Sequence, residues 1–454
     1  MKYLSTRGHP ERLSFRDVVA SGLAPDGGLF VPETLPDLSQ HVPSWQNLAY
    51  PEIASGFFKI FADDIDIGVL HELAYRAYRN FDHPELAPLK PLSDKLTVLE
   101  LFHGPTLAFK DFAMQLLGQL IEYQVKMTKK SVTILGATSG DTGAAAVQGL
   151  MNKAGVNVFI LYPHGRISPL QERQMTCTGA ANVYPIAIDG AFDDAQYALK
   201  DVFGDATFKA ETGLTTINSI NIARVLAQCV YYIYAWLNLP QAVRETSNLE
   251  WVVPTGNFGN ILAGWMCQKM GIPLGSFRIA TNQNDILHRL FTTGKYEVES
   301  VQPSHAPSMD IQVASNFERF VYFAEQGDTA AVKKTMETFR ETGSYTFKDF
   351  DPSTFTSSRT DDAEIQTIIG DVYKQHGYVI DPHTACGFKD INADKHSIIL
   401  STAHPAKFPE VVDAATGIEP KADTLETLKS KDIVNTRLAA EPEAIKAFIR
   451  KQLA

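Results

Sequence analysis

Short β-rich runs alternate with longer stretches of helical periodicity from about residue 96 to the end of the chain. This order is typical of a parallel sheet covered by helices, because parallel strands need long crossover connections and helices supply them. Turn-forming Gly, Pro, Ser or Thr follows each run. The sequence therefore predicts the α/β class, with candidate strands at 97–102, 132–136, 156–162, 183–188, 251–254, 277–281 and 397–401.

A chain of 454 residues is longer than a single hydrophobic core usually supports, which predicts two or three lobes. Residues 1–95 carry short amphipathic pieces punctuated by prolines, and this pattern predicts an N-terminal lobe wrapped on the main body. Residues 302–361 are rich in Ser, Thr, Pro and aromatic side chains around a helical centre. We interpret them as an insertion or a lid-bearing region.

The net charge of −11 argues against a nucleic-acid or acidic-membrane surface, because an acidic protein is repelled by a polyanion. Four widely spaced cysteines form no CxxC pair and indicate neither disulfides nor a metal site. The N-terminus has no apolar signal core, and no segment has the length of a membrane span. We expect a protein of the reducing cytoplasm.

Lys110 follows a candidate strand and stands near the start of a predicted helix. Its apolar neighbours Leu107, Ala108, Phe109 and Phe112 favour partial desolvation. Desolvation, together with the positive end of the helix dipole, lowers the pKa of an ammonium group toward the neutral amine that Schiff-base chemistry needs. A solvated lysine beside a turn is the simpler alternative.

Residues 136–143 form a Gly-rich turn between a candidate strand and a helix of small residues. Backbone N–H groups at such a helix start bind anions, and the hydroxyls of Thr138, Ser139 and Thr142 add donors. A tight turn without a ligand is one alternative. A dinucleotide site is another, although the glycine spacing does not match G-x-G-x-x-G.

A second Gly-rich turn, 254–260, lies between a strand and a helix. Gly256 and Gly259 allow close approach of the backbone to a bound group, while Asn257 and Asn260 supply donors suited to a phosphate. A helix cap is the alternative.

The strand 397–401 ends in hydroxyl residues, on the side of an α/β sheet where ligands bind. Ser401 and Thr402 are candidates to bond a ring nitrogen. A cap before Pro405 is the simpler alternative.

Taken together and in this order, these stretches resemble the threonine synthases, enzymes of the tryptophan-synthase-β-like fold (fold type II) that use pyridoxal phosphate (PLP). The similarity runs from Ser14, Phe15 and the segment 27–32 to the segment 401–404, and its most specific motifs are 103–111 and 137–143. The resemblance implies a large cofactor-binding domain at 96–130 and 216–454, a smaller mobile substrate domain at 131–215, and the N-terminal lobe at 1–95.

The resemblance also implies roles for individual residues. Lys110 would carry the cofactor as a Schiff base, and Thr402 would face the pyridine nitrogen. Asp141 departs from related enzymes that have Asn at this position, and its role stays open. The remaining implied ligands are Gly256, Asn257, Phe258, Gly259 and Asn260 for the cofactor phosphate, Thr138, Ser139 and Thr142 for the substrate carboxylate, and Asn218, Ser219 and Arg224 for the substrate phosphate.

The implied reaction converts O-phospho-L-homoserine and water into L-threonine and phosphate. A PLP-dependent serine or threonine dehydratase is the nearest alternative. A nucleotide-dependent oxidoreductase and a catalytically silent ligand-binding relative are two others. A monomer and a homodimer both agree with the sequence.

Overall fold

The structure of the protein is a computed structural model, and it describes residues 1–138, 140–245, 248–347 and 351–454. Its strands are β1 (Tyr3–Ser5), β2 (Phe30–Pro32), β3 (Leu89–Ser93), β4 (Leu96–Glu100), β5 (Val132–Ala137), β6 (Val156–Pro163), β7 (Val183–Asp189), β8 (Leu214–Thr215), β9 (Leu249–Pro254), β10 (Ser276–Thr281), β11 (Lys295–Glu297), β12 (Ser344–Thr346), β13 (Thr356–Arg359), β14 (His396–Ser401) and β15 (Thr436–Ala439). Each strand predicted from the sequence is present, within two residues of its predicted bounds.

The helices connect and cover these strands. They are α1 (Phe15–Ser21), α2 (Val42–Trp45), α3 (Tyr50–Phe61), α4 (Ile67–Tyr78), α5 (Lys110–Thr128), α6 (Asp141–Leu150), α7 (Pro169–Thr176), α8 (Phe192–Gly204), α9 (Ala206–Thr212), α10 (Ile222–Asn238), α11 (Gln241–Arg244), α12 (Gly259–Lys269), α13 (Ile286–Thr293), α14 (Phe317–Ala324), α15 (Thr329–Thr342), α16 (Asp362–His376), α17 (Pro382–Gly387), α18 (Pro409–Thr416), α19 (Asp423–Lys429) and α20 (Pro442–Leu453), with short 3₁₀ turns at Pro307–Met309, Pro352–Thr354 and Pro405–Lys407.

The larger sheet has the strand order β13-β10-β9-β14-β4-β3. Its neighbours pair in parallel, apart from the antiparallel pair β3 and β4. Strand β9 is buried along its whole length, as expected for a strand of a parallel sheet covered on both faces. Strand β13 lies within the region 302–361, so this region contributes an edge strand to the sheet in addition to its helices.

The smaller sheet is parallel throughout and has the order β15-β7-β6-β5-β8. Its edge strand β15 comes from the C-terminal part of the chain and pairs with β7, a contact that the sequence did not indicate. The division into a large domain (96–130 with 216–454) and a smaller domain (131–215) stays a prediction. The pairing nevertheless brings Thr436–Ala439 to the sheet formed mainly by 132–215.

Helices α5 and α6 join the two sheets by an unusually close crossing. A Cβ atom at Gly118 would lie 1.9 Å from the carbonyl oxygen of Gly149, and one at Gly149 would lie 2.4 Å from that of Met114. Only glycine permits this approach. The crossing fixes the start of α5 relative to the start of α6, and both helix starts border the pocket described below.

The N-terminal region packs on the main body through α1, α3 and α4, which contact α5 and α10. Its strand β2 is also linked to the interior, because the fully buried Arg319 donates to the carbonyl oxygen of Phe30 at 2.9 Å and to that of Ile220. Among the described helices, none combines the length and the apolar character that crossing a bilayer requires.

Candidate active site

A pocket lies beyond the carboxyl ends of β4, β9 and β14, where an α/β sheet usually binds ligands. Most residues predicted from the sequence meet there: the lining includes Lys110, Thr142, Ser219, Arg224, Gly256, Asn257, Phe258, Gly259, Asn260 and Thr402. Sequence reasoning assigned no role to several other lining residues, which include Gln228, Ser308, Asn316 and His383.

Lys110 is the first residue of α5, and the loop before it is pinned to the end of β14. Phe109 donates its backbone N–H to the carbonyl oxygen of Thr402 at 2.9 Å, so Lys110 and Thr402 face the same pocket. Burial, opposed by Asp141 but reinforced by Lys407 and Arg224, lowers the pKa of the Lys110 ammonium. The desolvation expected from its apolar neighbours is therefore present.

The second Gly-rich turn, between β9 and α12, is held by one aromatic anchor. Phe258 adopts a left-handed backbone conformation (φ 65°), which is unfavourable for a residue with a side chain. Its ring is buried in a cluster with Phe317 (ring centroids 5.5 Å apart) and Phe355 (5.9 Å). This burial holds the turn in its shape and leaves its backbone on the pocket side.

The two glycines of this turn allow contact with the segment 308–316. A Cβ atom at Gly256 would lie 3.0 Å from the carbonyl oxygen of Ser308, and one at Gly259 would lie 3.2 Å from Nδ2 of Asn316. Close approach was expected toward a bound group. The structure shows that the glycines also make room for protein that closes the pocket from the other side.

Asn260 lines this pocket, and its amide is held at the oxygen end. Its Oδ1 accepts from the hydroxyls of Tyr231 (2.5 Å) and Tyr232 (3.0 Å), which orients the amide. The part of the chain that the structure describes offers no hydrogen-bond acceptor to the buried Nδ2 atom. A buried donor without a partner is unfavourable, so this geometry is suited to an incoming anion.

Arg224 lies in the first turn of α10 and is only 4% exposed. Among the described residues, none accepts a hydrogen bond from its Nε or Nη1 atoms. Burial lowers the pKa of its guanidinium group to about 10. A buried cation with no carboxylate partner in the described part of the chain favours a bound anion, and a guanidinium group matches the oxygens of a phosphate or carboxylate.

Asn218 and Ser219 precede α10 and are placed differently. The Ser219 hydroxyl borders the pocket and contacts the Ser315 hydroxyl at 2.7 Å. Asn218 is not among the lining residues, and its side-chain oxygen accepts the backbone N–H of Ile220 at 3.2 Å. The structure thus brings Ser219 to the pocket and gives Asn218 a turn-forming bond.

The hydroxyl residues of the turn 138–142 also differ in whether they reach the pocket. Thr142 borders the pocket. Thr138 does not, because its hydroxyl accepts the backbone N–H groups of Gly140 (3.0 Å) and Gly143 (2.9 Å) and so shapes the turn. Ser139 lies outside the described residues.

Asp141, whose role the sequence left open, is buried between two lysines. Its Oδ1 atom lies 2.8 Å from Nζ of Lys407, and its Oδ2 atom lies 3.6 Å from Nζ of Lys110. Burial raises the pKa of this carboxyl group, but the cations of Lys407 and Lys110 outweigh burial and hold the pKa well below its ordinary value. The position therefore carries a carboxylate whose charge is balanced.

Ser308 and His383 complete the wall beside Lys110. The Ser308 hydroxyl donates to Oδ2 of Asp141 at 3.0 Å and lies 3.4 Å from Nζ of Lys110. Its backbone N–H donates to Nε2 of His383 at 3.1 Å, and Nδ1 of His383 lies 2.8 Å from Asp381. These bonds fix the tautomer of the imidazole and tie the region 302–361 to the site.

The pocket fits pyridoxal phosphate in two independent respects. It holds a desolvated lysine that can bind an aldehyde, and it holds buried donors at Asn260 and Arg224 that lack acceptors among the residues described. A desolvated lysine and buried anion donors, placed at the carboxyl ends of parallel strands, are the features of a PLP-dependent enzyme of fold type II. The predicted fold class and cofactor agree with this geometry.

Comparisons with known proteins specify the family. Residues 2–78 match the model described as "Threonine synthase N terminus", residues 84–345 match "Pyridoxal-phosphate dependent enzyme", and residues 384–449 match "Threonine synthase, C-terminal". The chain is 42% identical to the threonine synthase of Pseudomonas aeruginosa over 426 residues, which cover 91% of this chain and 90% of that protein.

Solved structures agree. The PLP-bound threonine synthase from Brucella melitensis superposes with a TM-score of 0.95 at 39% identity, covering 100% of this chain and 99% of that one. The yeast threonine synthase gives a TM-score of 0.92 at 36% identity, covering 100% and 98%. The chain belongs to the threonine synthase family, which confirms the resemblance, the fold class and PLP as the cofactor.

Proposed function

We propose that this protein converts O-phospho-L-homoserine and water into L-threonine and phosphate, with Lys110 as the residue that carries PLP covalently. The observation that supports this proposal is the meeting, in one pocket, of the desolvated Lys110 with the buried Arg224, whose Nε and Nη1 atoms have no acceptor among the described residues. A cofactor phosphate and a substrate phosphate both require such donors. The function rests equally on membership of the threonine synthase family.

The residues of the pocket divide between cofactor and substrate. The backbone of Gly256–Asn260, together with Nδ2 of Asn260, would bind the cofactor phosphate. Thr402 would face the pyridine nitrogen, and a hydroxyl there favours an unprotonated ring, because it stabilises a pyridinium charge less than a carboxylate does. The turn 136–143 was also a candidate dinucleotide site. Its residues Asp141 and Thr142 border the pocket that holds Lys110, which supports a role in substrate binding instead.

The substrate would lie between the starts of α6 and α10. Thr142, with the N–H groups at the start of α6, would receive its α-carboxylate, and Ser139 is proposed beside it. Arg224 and Ser219 would bind its phosphate. The hydroxyl of Thr138 and the side chain of Asn218 would act indirectly, because both are used in bonds that shape the two turns.

When bound, PLP supplies an electron sink that stabilises negative charge developing next to the substrate amine. Lys110 would hold the cofactor and would also move the Cα proton of the substrate, because burial favours its neutral amine. Arg224 would hold the phosphate while a proton leaves Cβ and the C–O bond at Cγ breaks, the phosphate departing with the bonding electron pair. Cγ would then gain a proton, water would add its oxygen to Cβ, and a proton would return to Cα, a transfer for which the Lys110 amine is placed.

The cellular setting remains part of the proposal. We propose a cytoplasmic enzyme that acts as a monomer or a homodimer and does not bind nucleic acid. The net charge of −11 supports the last point, since it opposes contact with a polyanion. The four cysteines support a reducing compartment, because all of them are buried free thiols.

A phosphate-release assay tests the proposed reaction. The purified protein, loaded with PLP, should release phosphate from O-phospho-L-homoserine and form an equal amount of threonine. A dehydratase would instead form a keto acid from threonine without releasing phosphate. Keto-acid formation as the main activity, or cofactor binding without turnover of either substrate, would overturn the proposal.

A further inference from the structure

The two oxygens of Asp141 face different surroundings. Oδ1 lies 2.8 Å from Nζ of Lys407 and accepts from Nε2 of Gln171 at 3.1 Å. Oδ2 lies 3.6 Å from Nζ of Lys110 and accepts the Ser308 hydroxyl at 3.0 Å. Oδ1 is therefore held by Lys407 and Gln171, and Oδ2 faces Lys110, the amine proposed to carry the cofactor.

Lys407 is an unusual partner for this carboxylate because it is a lysine without access to solvent. Its side chain is 1% exposed, and its ammonium group also donates to the carbonyl oxygen of Thr106 at 2.7 Å. It lies in the 3₁₀ turn that follows Thr402 and reaches across to the first residue of α6. Burying a lysine is costly unless its charge is balanced, and Asp141 supplies that balance.

We propose that Lys407 is a positioning residue that keeps Asp141 ionised and offsets its charge, so that Lys110 remains a neutral and reactive amine. This inference rests on the proposed role of Lys110. An isolated carboxylate 3.6 Å from Lys110 would stabilise the ammonium form and oppose reaction with an aldehyde. Lys407 cancels this effect by placing a second cation on the other oxygen.

The pairing also resolves the difficulty that an aspartate poses beside PLP. The ring of PLP carries an oxygen next to its aldehyde carbon, and a carboxylate near that oxygen would repel it. With Lys407 bound, the net charge of the pair is zero. A neutral pair would not repel that anionic oxygen.

The charged groups around this pair come from several elements. Lys110 is affected by Asp141, Lys407 and Arg224, and Asp141 is also affected by His383 on α17. Lys407 also acts electrostatically on the buried carboxyl group of Asp111. A test must therefore change Lys407 and Asp141 separately and together, so that the contributions of the other groups stay constant.

The experiment follows covalent attachment of PLP to the apoprotein by visible absorbance, as a function of pH. Lys407→Met should shift the midpoint of the rate to higher pH and slow attachment at pH 7 by about tenfold, the effect of one unit of pKa. Asp141→Asn should shift the midpoint to lower pH. The double variant should return close to the wild-type midpoint, because both charges are then absent.

A purely structural role predicts a different pattern. If Lys407 served only to tie the Thr106 carbonyl to the 3₁₀ turn, Asp141→Asn would not restore the midpoint of the Lys407→Met variant, and that outcome overturns the inference. Lys407→Arg, which keeps the charge, should stay within about threefold of the wild-type rate. Equal rates for wild type and Lys407→Met would also overturn it.

A matched control is Lys395→Met. Lys395 precedes β14 and binds the buried carboxylate of Glu250 at 3.0 Å, at the opposite end of the strand from the pocket. Its loss should leave the midpoint unchanged, and a shift equal to that of Lys407→Met would contradict the inference. If Lys407→Met does not fold, the double variant must still show a higher midpoint than Asp141→Asn alone.

The same data separate this inference from the proposed function. Covalent attachment that persists in Lys110→Ala would refute the role of Lys110 itself. Attachment that requires Lys110 but ignores Lys407 would refute only the positioning role.

Discussion

The hydroxyl of Tyr231 donates to Oδ1 of Asn260 at 2.5 Å, 29 positions along the chain. Tyr231 lies on α10, and Asn260 lies at the start of α12. The bond sets which end of the amide faces the pocket, because an amide whose oxygen is held turns its N–H₂ group the other way. Helix packing thus determines which end of the Asn260 amide the proposed cofactor phosphate would meet.

Tyr231→Phe should weaken PLP binding without unfolding the protein. Loss of one orienting bond is expected to remove about 0.5–1.5 kcal/mol, or roughly two- to tenfold in affinity. Titration of the apoprotein with PLP measures the change. Tyr78→Phe is the control, because its hydroxyl donates to the carbonyl oxygen of Phe112 at 3.2 Å, away from the pocket lining. Equal losses in both variants would contradict the orienting role.

Arg224→Met should stabilise the ligand-free protein and impair substrate binding. It removes a buried cation whose Nε and Nη1 atoms have no acceptor among the described residues, so the midpoint of thermal unfolding should rise. The KM for O-phospho-L-homoserine should rise at least about tenfold, since a hydrogen bond to a charged group contributes about 1.5–3 kcal/mol.

Arg319→Met provides the contrast to this variant. Arg319 is fully buried but donates to Phe30 and Asn316, so its loss should lower the unfolding midpoint. An Arg224→Met protein that is destabilised as much as Arg319→Met, with an unchanged KM, would show that the substrate phosphate binds elsewhere.

Lys110→Ala should abolish both turnover and the visible absorbance of bound PLP. Borohydride reduction of the wild-type holoenzyme should attach PLP to the peptide that contains Lys110, as mass spectrometry can verify. Lys126→Ala, on the exposed end of the same helix, is the control and should retain full activity. A coloured, active Lys110→Ala protein would remove the basis of the proposed site.

Asp111 should make the stability of the protein decrease as the pH rises. Burial raises the pKa of its carboxyl group to about 6, against the lowering effect of its bonds to Thr106. In the unfolded chain the group has its ordinary, lower pKa, so the folded state binds the extra proton between about pH 4 and 6. The stabilising effect of that proton is complete at low pH and is lost as the pH passes 6.

Asp111→Asn isolates this contribution. Urea unfolding of both proteins at pH 5 and pH 7.5 should show a smaller decline for the variant, by about 1–3 kcal/mol. The asparagine can keep both bonds to Thr106, because a hydroxyl can accept as well as donate. The same decline in both proteins would assign the pH dependence to other groups.

The sequence predicts those strands that a local pattern specifies. It does not predict a strand that forms only by pairing with a distant part of the chain. Strands such as β5 and β6 are continuous apolar runs followed by turn residues, and they are found where expected. Strand β15 is a short, half-exposed segment, and only its pairing with β7 makes it a strand. Register between segments about 250 residues apart leaves no periodic signal in the sequence.

The same distinction applies to the candidate site. Lys110 and the turn 254–260 are recognisable because each combines a special residue with a helix start. Lys407 lies between Pro405 and Pro409, in a sequence typical of an exposed turn. Nothing in that sequence predicts that its side chain is buried. Ser308 lies in a region interpreted as an insertion or lid, and only the fold shows that it contacts Asp141.

The position of β15 has a consequence for biosynthesis. The edge of β7 is covered by residues 436–439, which follow it far along the chain, so this edge stays uncovered during synthesis until that later segment is available. An uncovered strand edge can pair with other chains. Folding of the smaller sheet during synthesis therefore leaves one exposed strand edge open to aggregation until β15 docks on β7.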